Sequence, residues 1–329
     1  MKKILALIMV LCMVMVLMPA ACADEVIHIS LGHDNHPGEP LTMAGEFWAQ
    51  RLEEVSGGTM VMDLYPSSSA GAKTDLIDQL MAGDPMMVVG DGGFAADYGV
   101  PDASIINGPY LFSGWDDVTK LTSSDLWTEL KQQMADAGMT VVSDNWWYGC
   151  RNTMSVKELK TPEDFKGLII RVPNSSVYID SFKALGAAPT AMNLNEVYPA
   201  LNQGTIEAVE NPLSVHLANS IDEVCPYLCM DKHFYQITFI VMSTDFFNSL
   251  TEEQQGWLLE TGKEAAEYQN DLMLKAEEAS IQEMVERGVQ ISEVDFDAFA
   301  EAAKSFYTDS ASAKNWSDGL YERVLEILG

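Results

Sequence analysis

Leu168 to Val172, reading LIIRV, is apolar enough to be a buried strand and yet contains an arginine. A guanidinium in such a run does not stay unpaired at low dielectric, and its planar fork matches a carboxylate or phosphate through two parallel hydrogen bonds. Just upstream, Thr161-Pro162-Glu163-Asp164 supplies an N-cap, a proline at the first helical position and acidic residues at the positive helix end, and Gly167 ends that short helix. From this segment alone two partners for Arg171 stand level: an internal Asp or Glu, or a bound anion.

Length sets the next constraint. The 329 residues exceed what one hydrophobic core usually organises, so two lobes are expected. Strand (26–31), helix (41–55), strand (59–65), helix (73–82) and strand (86–90) form an α/β lobe. PDASIINGPYLF reads as a short strand and a Pro-bounded turn; helices from about 116 and 124 end at Gly138, and 139–143 returns as a strand. In the second lobe, helix 175–185 is followed by a helix capped by Asn195 and by a strand, 205–209, emerging into Glu210-Asn211-Pro212. HFYQITFIVM (233–242) crosses back. Thr251 and Gln254 then open a helix with a capping box, and its periodicity runs to Arg287, roughly 55 Å, enough to span both lobes. The remainder reads as helical surface on the second lobe. The expected division is 1–23 as a signal peptide, 24–148 with about 237–276 as lobe I, and 149–236 with about 277–329 as lobe II.

With 19 basic against 49 acidic residues the chain carries a formal charge of −30, which argues against nucleic acid and anionic lipid as partners. An anionic ligand would have to be drawn in by a local cluster of arginines and helix N-termini. Lys2-Lys3, the apolar 4–18 and Ala21-Cys22-Ala23 have the order of a signal peptide cleaved after Ala23. Pro19 stands where a lipobox usually has Leu, which disfavours lipid attachment at Cys22. Cys225 and Cys229 are spaced to permit a local disulfide without requiring one, and Cys150 reads as a small core residue.

The candidate binding residues lie at strand ends, where open α/β sheets hold ligands. His33, Asp34 and Asn35 follow the first strand; His33 and His36 lack a third ligand, so no metal is expected. Asp91 and Phe94 flank two glycines that would let backbone approach a ligand closely, with neither GxGxxG nor a Walker lysine present. Trp146 and Trp147 alternate faces if extended, so one is expected in the core and one in the cleft. Arg151 and Asn152 follow Gly149-Cys150, Asn174 follows Arg171, and Tyr235 and Gln236 sit near the expected hinge. No G-x-S-x-G elbow, HExxH helix or paired-cysteine metal site is present, which argues against an exported hydrolase.

GLIIRVP, FKALGA, the NEVYPALNQGTIEAVENP segment and Gly149-Cys150-Arg151-Asn152 together resemble the DctP-type extracytoplasmic solute-binding proteins of TRAP transporters, from about Val26 to the C-terminus. The resemblance implies a two-lobed, periplasmic-binding-protein-like fold without a cofactor, in which Arg171, accompanied by Asn211, clamps a carboxylate. It implies a C4-dicarboxylate, sugar acid or related acid as ligand. It also implies a monomer working with a permease of small and large membrane subunits. The family often has an aromatic near Leu194; here Asn193-Leu194 stands instead. An ABC-type or sensor-coupled binding protein would share the same fold logic.

Overall fold

The computed structural model describes residues 26–329, so the signal segment and its cleavage after Ala23 lie outside the described residues. β1 (Ile27–Gly32), α1 (Pro40–Ser56), β2 (Met60–Tyr65), α2 (Lys73–Met81) and β3 (Met86–Gly90) agree with the sequence reading to within a residue at each end. β1 pairs in parallel with both β2 and β3, which requires a crossover each time, supplied by α1 and α2. After α3 (Gly92–Asp97), Pro101–Asn107 is a 3-10 segment and not the strand its apolar residues suggest. Pro101 fixes φ and removes a donor, and Ala103, Ile105 and Ile106 bury in the core without a ladder partner. α4 (Trp115–Thr122) and α5 (Asp125–Asp136) follow, the latter capped by Ser124.

Two strands of 17 residues each, β4 (Met139–Ser155) and β8 (Tyr227–Ser243), join the lobes. Between them come β5 (Ile169–Val172), α6 (Ser176–Ala184), β6 (Ala188–Ala191), α7 (Val197–Asn202), β7 (Ala208–Pro212) and α8 (Leu213–Ala218). The turn into α7 is set by Asn193, whose backbone N–H donates to Glu196 (3.1 Å), and not by Asn195. Strand order is β2-β1-β3-β8-β4-β7-β5-β6, with the antiparallel β4–β8 pair in the middle. Each half is an α/β sheet covered on both faces, which makes the fold two-lobed.

Strand alternation divides the core. In β3, Met86 and Val88 face the α2, α4 and α5 side, while Met87 and Val89 face α1. In the second lobe Phe165, Val172 and Phe182 pack on one face and Val197, Val209 and Met284 on the other. After α9 (Thr244–Ser249), α10 (Glu252–Glu286) is one helix of 35 residues, about 52 Å long. It touches the first lobe through Thr261, which accepts from Trp48 Nε1 (2.9 Å), and the second through Met284.

β9 (Gln290–Glu293) adds to β8, and α11 (Phe296–Ala303), α12 (Ser305–Asp309) and α13 (Ala311–Lys314) cover α6. The last helix, α14 (Leu320–Leu328), departs from the expected second-lobe surface: Leu320 and Val324 bury in the first-lobe core, and Arg323 pairs with Glu129 (2.5 Å). Cys150, Cys225 and Cys229 are buried free thiols.

Of the two tryptophans, Trp146 takes the expected core position, but Trp147 packs as well and does not line the cleft. Asn145 adopts φ 58°, a left-handed kink that Asn tolerates, and the β4–β8 register shifts around it. The kink turns Trp146 into the α1 side, wholly buried against Trp48 at 6.0 Å between ring centroids. Trp147 stacks on Trp115 at 4.7 Å, and Tyr235 meets Trp115 edge-on at 5.4 Å, so neither ring serves the cleft. Trp146→Ala should therefore destabilise the fold by about 3–5 kcal/mol, read by urea denaturation, through the cavity it leaves.

Candidate functional site

The interlobe cleft is built from strand ends and the turns that follow them. His33, Asp34 and Asn35 come from the loop after β1, Lys73 and Thr74 from the start of α2, and Asp91 and Phe94 from the β3–α3 turn. Tyr148 and Arg151 come from β4, Arg171 and Asn174 from β5 and the turn after it, Tyr178 from α6, Asn211 from β7 and Gln236 from β8. Of the residues singled out in the sequence, the fold brings together His33, Asp34, Asn35, Asp91, Phe94, Arg151, Arg171, Asn174 and Asn211. It leaves out Trp146, Trp147 and Tyr235.

The two arginines are treated differently by their surroundings. Arg151 is mostly engaged: Nε and Nη2 reach Glu210 at 2.5 and 2.6 Å, Nη2 also donates to the Glu210 carbonyl, and Nη1 donates to Gln236 Oε1 at 2.7 Å, which leaves one Nη1 hydrogen without a partner among the described residues. Glu210 also meets His233 Nε2 (3.0 Å), and His233 Nδ1 lies 3.0 Å from Asp231, itself an acceptor from Thr153. Burial alone would raise the Glu210 carboxyl, but Arg151 and His233 outweigh it and hold the group at about 2. Burial would likewise lower His233, yet Asp231 and Glu210 raise it. The internal ion pair expected of a buried arginine thus belongs to Arg151, which lines the cleft with its charge already met by Glu210.

Arg171 has no such partner. It is 4% exposed, its Nε donates to the Met192 carbonyl (2.9 Å), and its terminal nitrogens make no ion pair or hydrogen bond with any described residue. Burial lowers its pKa to about 10, with Glu210 the largest opposing influence, so it remains a cation at neutral pH. Asn211, across β7, likewise has a side-chain amide with no partner among the described residues. Both line the cleft with donors unused among the described residues, the chemistry that receives a carboxylate.

On the facing wall, Asn35 donates to Glu39 (2.7 Å) and Tyr148 (3.2 Å). Asp91 is committed to structure: Oδ1 caps α3 by accepting from Gly93 and Phe94 N–H, and Oδ2 accepts from Tyr178 and Gln236. The adjacent glycines make room for protein atoms on both sides. A Cβ at Gly93 would lie 2.5 Å from Val177 Cγ1 and 2.8 Å from Ser175 Oγ of the other lobe, and one at Gly92 would lie 2.0 Å from the Ala103 carbonyl. His33 is buried with both ring nitrogens unpartnered, and burial lowers it to about 4, leaving a neutral imidazole. Among the described residues no cluster of His, Cys, Asp and Glu is arranged to hold a metal ion.

Several cleft residues are not singled out as ligand contacts in the sequence, Gln236 among them being placed only near the hinge. Gln236 is a polar residue inside the apolar HFYQITFIVM, a signal as strong as that of Arg171. Lys73 is a cation at a helix N-terminus, where acidic residues are the rule. Tyr148 sits next to the two tryptophans, and the register shift between Trp147 and Gly149 selects it for the cleft. Tyr178 offers no local signal; it reads as one more core aromatic of α6.

Residues 31–314 match the family described as bacterial extracellular solute-binding protein, family 7, the DctP family. The chain belongs to this family. Among solved structures, a TRAP periplasmic solute-binding protein from Ochrobacterium anthropi with bound L-fuconate is 35% identical, at a TM-score of 0.88 over 92% of this chain and 100% of that one. One from Actinobacillus succinogenes with bound L-galactonate is 32% identical, at 0.87 over 92% and 99%. One from Fusobacterium nucleatum with bound sn-glycerol 3-phosphate is 27% identical, at 0.87 over 92% and 97%. No helix among the described residues is long and apolar enough to cross a membrane.

Glu210→Gln should cost about 3–5 kcal/mol in denaturation, because it leaves the buried Arg151 without its counter-charge. Since the Glu210 carboxyl lies below its ordinary 4.5 when folded, its contribution is fully present above about pH 4.5 and is lost as pH falls toward 2. Acid denaturation of the Gln variant should accordingly be shallower across that window than that of the parent protein.

Proposed function

We propose that the chain is an exported binding protein that captures a sugar acid, a small hydroxylated carboxylate, between its lobes and presents the closed form to a TRAP permease of small and large membrane subunits. It acts as a monomer and carries out no chemistry on its ligand. The observation that carries the reading is the buried Arg171 cation with its terminal nitrogens free, set beside the free amide of Asn211. A desolvated charge of that kind costs several kcal/mol unless something arrives to pair it. The L-fuconate and L-galactonate bound by two related proteins are carboxylates with several hydroxyls, and the polar facing wall of His33, Asp34 and Lys73 suits hydroxyls.

Closure follows from the same geometry. A ligand held by Arg171 and Asn211 reaches Asp34 and Asn35 only when the lobes meet, so binding shifts the population toward the closed form. Tyr178, on the second lobe, already accepts from Asn107 (3.3 Å) and donates to Asp91 (3.2 Å) of the first. A phosphate monoester is the second reading, favoured by the glycerol phosphate bound by the Fusobacterium protein and by the second cation, Lys73.

A thermal-shift screen of aldonates, uronates, C4-dicarboxylates and glycerol phosphates separates these readings, since a ligand at a hundredfold its Kd adds about 2.7 kcal/mol. The expected hit is a sugar acid. Arg171→Ala should weaken that hit by about 2–5 kcal/mol with the fold intact, and Arg171→Lys should recover only part of the loss, because it restores charge without the fork. Gly93→Ala should weaken every ligand alike, by about 1–3 kcal/mol, because its Cβ overpacks only the closed form. Stabilisation by phosphate esters alone would replace the carboxylate reading, and unchanged affinity in Arg171→Ala would remove the clamp.

A further inference from the structure

The wall that β1 and α2 present to the cleft holds three polar side chains that the Arg171 clamp does not use: His33, Asp34 and Lys73. Local packing brings them together. Leu76 of α2 lies directly over Gly32, where a Cβ would come within 2.5 Å of its Cδ1, and this seats the start of α2 beside the loop after β1. Ser68 ties the same loop down, its N–H donating to the His33 carbonyl (3.0 Å) and its Oγ to Asp34 (2.8 Å).

All three retain unused capacity. His33 is 2% exposed with neither ring nitrogen partnered, a state that costs free energy until a ligand group meets it. Lys73 makes no ion pair among the described residues and lies with its ammonium 4.4 Å over the Phe94 ring. Asp34 makes no ion pair among them either, and its only side-chain hydrogen bond is the one from Ser68.

We infer that this wall reads the end of the ligand remote from its carboxylate, and that this end carries hydroxyls and no second carboxylate. The inference rests on the sugar-acid reading and narrows it to monocarboxylates. Lys73 can only donate and a carboxylate at Asp34 only accepts, while a neutral imidazole does one at each nitrogen. Hydroxyl groups both donate and accept, so a run of them satisfies all three side chains. A second carboxylate would suit Lys73 but would set a like charge against Asp34, so the wall rejects such ligands as well as attracting the right ones.

The test is calorimetric titration with matched pairs, L-galactonate against galactarate and D-gluconate against glucarate, the members of each pair differing only in whether C6 is a hydroxymethyl or a carboxylate. In the parent protein the aldonate of the binding pair should be tighter by about a hundredfold. Asp34→Asn should narrow that ratio to a few-fold by admitting the aldarate, while Lys73→Met should weaken the aldonate. Because the ratio is taken within one variant, partial loss of folding does not alter it. An aldarate that binds the parent protein as tightly as its aldonate, or an unchanged ratio in Asp34→Asn, overturns the inference. If both acids bind equally and both are lost in Arg171→Ala, the sugar-acid reading stands and this inference alone falls. If no sugar acid binds, both fall together.

Discussion

A buried arginine whose terminal nitrogens find no partner among the described residues is the constraint on which this structure turns. Arg171 and Arg151 occupy β5 and β4, the two strands that flank β7, at similar burial, and only one is neutralised from within. Glu210 and Gln236 occupy Arg151, so its charge is a fixed part of the second lobe's frame. Arg171 keeps its planar fork without a partner among the described residues, at a desolvation cost that a bound anion would offset. Removing Glu210 alone would leave two cations in one cleft without a counter-charge, and their mutual repulsion would disturb the frame beside Arg171.

The fold exists around that site as much as around its cores. Parallel strands end at the cleft from both sides, and the loops after β1, β3 and β5 supply its polar side chains. β4 and β8 carry the chain between lobes as a continuous antiparallel pair with register shifts, a geometry that can bend without losing its ladder. Across the gap, Asp91, Tyr178, Gln236 and Arg151 form one hydrogen-bonded chain that binds the frame of the second lobe to the first. Gly93 lies against Val177 and Ser175 of the second lobe, where a Cβ would crowd both side chains.

Much of this was legible in the sequence because it is local. The arginine in LIIRV, the capping box at Thr251, the β1–β3 alternation and the polar loop after β1 each announce themselves within a dozen residues. What escaped depends on long-range pairing. Glu210 lies 59 residues from Arg151, so nothing in Gly149-Cys150-Arg151-Asn152 tells that its charge is already met. Trp146 and Trp147 do alternate between the two faces of the sheet, but the face Trp147 takes is closed by Trp115, a partner 32 residues away, and is not the cleft. The destination of α14 rests on Leu320 and Val324 meeting a core formed two hundred residues earlier. Pro101–Asn107 shows the limit of composition: an apolar run buries equally well as a 3-10 segment, and only the absence of a neighbouring strand decides against a ladder.

The central claim is that the free fork of Arg171 is held for a ligand's carboxylate. A crystal structure of the protein with a bound sugar acid tests it most directly. The account predicts both oxygens of the carboxylate within hydrogen-bonding distance of the Arg171 terminal nitrogens, beside Asn211, with the Arg151–Glu210 pair unchanged. A ligand whose carboxylate lies against Arg151 or Lys73, with Arg171 turned to a protein carboxylate, would contradict it.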